Sequence, residues 1–80
     1  MRVRIDHGSA EFPYLQLARI LRGRIRSGEF PPGSKLPTIN EITAGTGLSP
    51  MTIRRAYREL ADVAEVVPGR GTFVIGDRRG

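Results

Sequence analysis

Apolar residues along the chain recur first at helical and then at strand spacing. From about Pro13 to Ser27, Tyr14, Leu17, Ala18, Ile20, Leu21 and Ile25 return every three or four residues, and Gly28 follows as a stop. This predicts a first helix. Its other side carries Arg19, Arg22 and Arg26, a solvated face, whereas Arg24 falls within the apolar sector and must snorkel or meet a carboxylate. The run Glu29-Phe30-Pro31-Pro32-Gly33-Ser34 is dense in turn formers, so the chain reverses there before a short extended piece at Lys35-Leu36. Thr38-Ile39-Asn40-Glu41 has capping-box spacing, which starts a second helix at Ile39; Gly45 and Gly47 limit it to about two turns. Ser49-Pro50 supplies a hydroxyl cap and a proline at the first helical position, opening a third helix. Ile53, Ala56, Tyr57 and Leu60 share one face of it, and Met51, Arg54, Arg55 and Arg58 point the other way. Beyond Leu60 the pattern changes to Val63 and Glu65-Val66-Val67, then Pro68-Gly69-Arg70-Gly71, then Thr72-Phe73-Val74-Ile75: two strands around a glycine-rich turn, with Phe73 placed toward the core.

These elements predict a mainly α fold with a small β-hairpin, an α+β winged helix-turn-helix of three helices followed by a two-stranded wing. Residues 1–11 are too short and polar to pack by themselves and read as a flexible arm, residues 12–75 as the domain and residues 76–80 as a frayed tail. Arg2 and Arg4 give that arm the composition of a minor-groove contact.

Charge adds a partner to the fold. The 80 residues carry 13 basic and 8 acidic side chains, a net +5, and every basic residue except Lys35 is arginine. Planar, permanently charged guanidinium groups suit phosphates and guanine edges. Arginine codons are also GC-rich, so placement matters more than number, and the placement is the outer face of the third helix. Arg55 and Arg58 are therefore expected to contact phosphates. The absence of cysteine excludes a disulfide framework, and Met1-Arg2-Val3-Arg4 lacks the apolar stretch of a secretory signal, so the cytoplasm is the expected compartment. No apolar run approaches the ~20 residues that span a membrane. His7 stands without ligands at metal spacing, and Gly69-Arg70-Gly71 lacks the strand-then-helix setting of a nucleotide loop. No catalytic constellation is visible; a non-enzyme without cofactors, metal or a small-molecule site in this chain is expected.

Four blocks of sequence resemble the DNA-binding domain of GntR-type bacterial transcription regulators. They are Pro13-Tyr14-Leu15-Gln16-Leu17-Ala18, the stretch from Ser27 to Thr38, the stretch from Gly47 to Leu60, and Gly69-Arg70-Gly71-Thr72-Phe73-Val74. The resemblance covers roughly residues 12–75. It implies that Thr38 and Asn40 touch the backbone or groove edge, that Ser49 caps the third helix and meets a phosphate, and that Met51, Thr52 and Arg54 enter the major groove. It further implies that Gly69, Arg70 and Gly71 lie in or beside the minor groove, and that Tyr14 mainly packs. The expected function is sequence-specific binding of double-stranded DNA, as a repressor, by a homodimer on a palindromic operator. GntR-type regulators usually carry a C-terminal effector-binding domain, so the chain is expected to be a DNA-binding fragment or a regulator reduced to its reader domain. The rival readings are a protein-interaction winged helix with a basic face and an RNA-binding module; the latter is disfavoured because RNA readers stack bases on exposed aromatics.

Three departures from that family pattern carry expectations of their own. Pro50 stands where arginine is frequent, removing one contact. Thr43 and Thr46 replace an alanine and a large apolar residue, so the second helix should pack less tightly. The segment between Leu60 and Gly69 is about two residues short, which means either a truncated turn or a sequence lacking two residues. With no glycine to end the third helix, a truncated turn requires strain at Asp62 or Val63, or fraying.

Overall fold

The computed structural model describes residues 3–75; the expected frayed tail and Arg2 lie outside them. Helix α1 (Pro13–Arg26) is followed by α2 (Ile39–Thr46), α3 (Pro50–Arg58), and strands β1 (Ala64–Val67) and β2 (Gly71–Val74). The strands pair antiparallel with Ala64 opposite Val74 and Val67 opposite Gly71. The extended piece after the Pro31-Pro32 turn joins this hairpin on its other side. Leu36 N donates to the Thr72 carbonyl (2.8 Å) and Val74 N to the Ser34 carbonyl (2.9 Å), so β2 is flanked on both edges.

Both short helices begin where their caps require. Thr38 Oγ1 accepts from Glu41 N (3.1 Å) while Glu41 Oε1 accepts from Thr38 N (2.9 Å), the reciprocal capping box. Ser49 Oγ accepts from Thr52 N (3.2 Å) in front of Pro50. Gly47 ends α2 in left-handed geometry, as its position predicts.

The core is one cluster built around Leu17 and Leu21 of α1, Leu36, Ile42 of α2, Ile53 of α3, Leu60 and Val74. Helix α3 packs on both other helices. Its buried face is Ile53, Ala56 and Tyr57, and the Tyr57 hydroxyl donates to the Pro37 carbonyl, tying α3 to the approach of α2. Helix α2 buries Ile42 alone, and Thr43 Oγ1 is buried without a partner. Thr46 offsets its own polarity by donating to the Ile42 carbonyl (2.7 Å). Among the described residues no helix is long and apolar enough to cross a membrane.

Three expectations need correction. Residues 3–11, expected as a loose arm, are docked: Val3 and Ile5 pack against the core, and the buried Gln16 holds the segment with both ends of its amide. Gln16 Oε1 accepts from Asp6 N (2.8 Å), and Gln16 Nε2 donates to the carbonyls of Asp6 (2.8 Å) and Glu11 (2.7 Å). The composition of the arm is too polar to pack alone, but a buried side-chain amide supplies what backbone pairing would. Second, Phe73 is only half-buried while Val74 is fully buried, because successive strand residues face opposite ways and Val74 takes the core position.

The third correction concerns Arg22, expected on a solvated face, which meets the connection after α3. The helix ends at Arg58, and residues 59–63 continue as overlapping turns, with Leu60 N bonded to the Tyr57 carbonyl and Val63 N to that of Leu60. No non-glycine residue among those described has a positive φ, so neither Asp62 nor Val63 is strained. Arg22 of α1 closes the gap instead. Its guanidinium bonds both Asp62 carboxylate oxygens (2.5 and 3.0 Å) and donates to the Glu59 carbonyl (2.8 Å), one of the acceptors that a helix end leaves open. Arg24, expected to need a carboxylate, has Glu29 at 3.3 Å.

Candidate nucleic-acid interface

The residues singled out in the sequence gather on the two flanks of α3. On one flank Thr38 and Asn40 at the start of α2, Arg54 on α3, and Gly69, Arg70 and Gly71 of the wing line a cleft of about 580 Å³. On the other, Ser49, Met51, Thr52 and Arg55 line a cleft of about 520 Å³ against Phe12 and Tyr14 at the start of α1. Arg58 stands farther along α3, in a groove shared with Glu65 and Val66 of β1.

Local chemistry decides how each side chain is presented. The Thr38 hydroxyl is occupied by the cap: its oxygen accepts from Glu41 N, and the Glu41 carboxylate lies against it. Glu41 turns its carboxylate back into the cap, and the backbone N–H of Thr38 holds that carboxyl below the ordinary glutamate range. The Ser49 and Thr52 hydroxyls lie 2.9 Å apart, so Thr52 is partly engaged by its own helix start. Arg54, Arg55 and Arg58 are all exposed. Arg55 is not a free cation: its guanidinium lies over the Tyr14 ring, 4.2 Å from the centroid, and Tyr14 stacks on Phe12 in turn. Such a stack fixes the guanidinium plane while leaving its N–H edge to solvent. Tyr14 thus does more than pack.

The wing tip is built by its turn. Arg70 N bonds the Val67 carbonyl (2.9 Å) across Pro68-Gly69, and the φ of 76° at Gly69 is what a type II turn requires at that position. At Gly71 the φ is 128°, and a Cβ there would sit 2.7 Å from Lys35 Cε. Lys35, which the sequence does not single out, therefore lies across the wing base and lines the first cleft with Arg54 and Arg70. Its role depends on the non-local pairing of its segment with β2, which no local pattern announces.

Helix α2, the Gly47 turn and α3 form a helix-turn-helix, and the hairpin beside them makes it winged, a class of domain shaped to lay one helix in a groove of duplex DNA. The sequence pattern of the gntR family of bacterial regulatory proteins matches residues 13–74. This chain belongs to that family. It is 37% identical over 73 residues to the HTH-type transcriptional regulator Rv1152 of Mycobacterium tuberculosis, covering 91% of this chain and 58% of that protein. It is 37% identical over 67 residues to the mannosyl-D-glycerate transport/metabolism system repressor MngR of Escherichia coli, covering 81% of this chain and 28% of that one. The chain thus spans 58% and 28% of the length of these relatives. Among solved structures, the AraR DNA-binding domain in complex with an operator superposes with a TM-score of 0.80 at 30% identity, over 92% of this chain and 98% of that one.

Proposed function

We propose that this domain binds double-stranded DNA sequence-specifically in the cytoplasm and acts as a transcriptional repressor. The observation that carries the reading is the exposed basic face of α3, flanked by the capped start of α2 on one side and the arginine-tipped wing on the other. The operator-bound AraR domain, which shares this fold, supports it, and so does the name repressor borne by MngR. Met51, Thr52 and Arg54 at the leading turns of α3 read base edges, because residues near the start of a recognition helix reach deepest. Thr38, Asn40, Ser49, Arg55 and Arg58 hold phosphates, and Gly69, Arg70 and Gly71 bring the wing to the minor groove. The mechanism has no chemical step: occupancy of a promoter excludes the polymerase. With about four to six phosphate contacts per copy, one domain binds weakly at physiological salt, and two copies on a palindromic operator bind tightly.

Selection of binding sites from random duplexes, followed by titration of the selected site against salt, tests this. A palindromic motif is expected, with affinity falling by a log–log slope of about −0.9 per phosphate neutralised. A flat salt dependence with no enriched motif would overturn the DNA reading and favour a protein partner for the basic face.

A further inference from the structure

The outward stripe of α3 is basic except at one place. On a helix of about 3.6 residues per turn, Met51 falls between Arg55 and Arg54, roughly 40° from one and 60° from the other. It therefore occupies the middle of the stripe, on the first turn of the helix, held there by the Ser49 cap and Pro50. It is 73% exposed, the most exposed of the large apolar side chains among the described residues. On its flank toward α1, Met51 shares a mainly apolar cleft with Leu48, Phe12 and Tyr14, whose polar lining is Ser49, Thr52 and Arg55.

A thioether has no hydrogen to donate and only a weak acceptor sulfur, so it cannot read the polar edge of a base. In the major groove, guanine, adenine and cytosine present acceptors and donors, whereas thymine adds a 5-methyl group. Resting on the DNA reading above, we propose that Met51 is a specificity-determining residue that selects a thymine in each half-site through that methyl. The position of this thymine relative to its neighbours also follows. Met51 and Arg54 are three residues apart on one helix, with Cβ atoms about 5–6 Å apart. Base pairs stack about 3.4 Å apart. The thymine therefore lies within about two base-pair steps of the guanine that Arg54 meets, on either strand.

Replacing each thymine of the selected site by deoxyuridine, one at a time, deletes a single methyl and no hydrogen-bonding group. One thymine per half-site is expected to be sensitive, its loss weakening binding by the 80-residue chain about fourfold, the equivalent of ~0.8 kcal/mol for one buried methyl. Met51→Ala should bind the thymine and uracil duplexes alike, and Met51→Leu should keep the preference. Because Met51 is exposed, both variants should keep the wild-type circular dichroism spectrum and melting temperature. A uracil penalty that persists undiminished in Met51→Ala overturns the assignment, as does a clear motif without a uracil-sensitive position. A selection that returns no motif overturns the DNA reading itself.

Discussion

Helix α3 and the wing present the same functional group to the same cleft, and they do so on opposite physical terms. Arg54 stands on a helix whose other face is packed by Ile53, Ala56 and Tyr57, whose start is capped by Ser49 and whose far end is clamped through Arg22. Arg70 stands on a three-residue loop, exposed like Pro68 and Gly69 beside it, on a hairpin of four paired positions. A guanidinium with a fixed base can satisfy a bidentate pattern on one base edge and no other. One on a glycine-bounded loop can follow a phosphate wherever it lies. On the proposed DNA reading, information content would come from the packing behind an arginine rather than from the arginine.

The sharpest way to break this contrast is to remove the packing. Ile53→Ala should destabilise the domain by about 2–5 kcal/mol in urea or thermal unfolding, since Ile53 is fully buried in the core cluster. Val66→Ala on the exposed side of β1 should stay within ~0.5 kcal/mol. Comparable losses at both sites would mean that the wing is as integral to the core as α3.

The next effect is on recognition. Arg54→Ala should cost about 1–3 kcal/mol on the selected operator and little on random duplex, relaxing preference at one base pair. Arg70→Ala should weaken both duplexes more nearly alike and lower the salt slope by about one. Gel-shift or fluorescence titrations of both variants on both duplexes decide it; equal losses everywhere for Arg54→Ala would make that residue a phosphate clamp.

Smaller still is the effect of stiffening the wing. Gly71→Ala places a methyl on a φ of 128° and against the Lys35 side chain, so it should cost on the order of 1 kcal/mol in stability. It should also displace Lys35 from the cleft, weakening specific and random DNA together. Retained stability with unchanged binding would show that the wing base has room the geometry denies.

The least effect is that of acid on the joint between α1 and the end of α3. The Arg22 guanidinium, by its hydrogen bonds, holds the Asp62 carboxyl below the ordinary aspartate range. A carboxyl depressed in the folded state contributes stability that is fully present above the unfolded value of about 3.9 and is lost as pH falls through its folded value. Both side chains are partly solvated, so the contribution is modest. Asp62→Asn should flatten the acid limb of a melting-temperature profile below about pH 4. An unchanged limb would locate the acid sensitivity elsewhere, with the Glu41 cap, depressed in the same direction, the next group to replace.

Features that a few consecutive residues determine were legible in the sequence. The two capped helix starts, the glycine stop of α2, the buried and basic faces of α3, and the Pro-Gly turn of the wing each follow from spacing alone. What the sequence concealed lies in pairs far apart along it. Gln16 reads as one more polar residue near a helix start until Asp6 and Glu11 close on it. Arg22 reads as solvated until the turns after α3 bring Asp62 and Glu59 within reach. Arg55 and Tyr14, and Lys35 and Gly71, are likewise neighbours only after folding. On the site side, charge and helical periodicity pick out which residues face outward, but not which flank of α3 each joins.

The hold of Gln16 on the segment before α1 bears on how this domain is best prepared. The family pattern begins at residue 13, which invites trimming the chain there or joining a fusion partner directly to Pro13. Such a cut would remove the Asp6 and Glu11 groups that satisfy the Gln16 amide, at a side chain only 3% exposed, and would uncover the surface that Val3 and Ile5 shield. A protein started at Pro13 should express less well and melt lower than one started at or before Val3, even though every residue assigned to DNA contact would still be present.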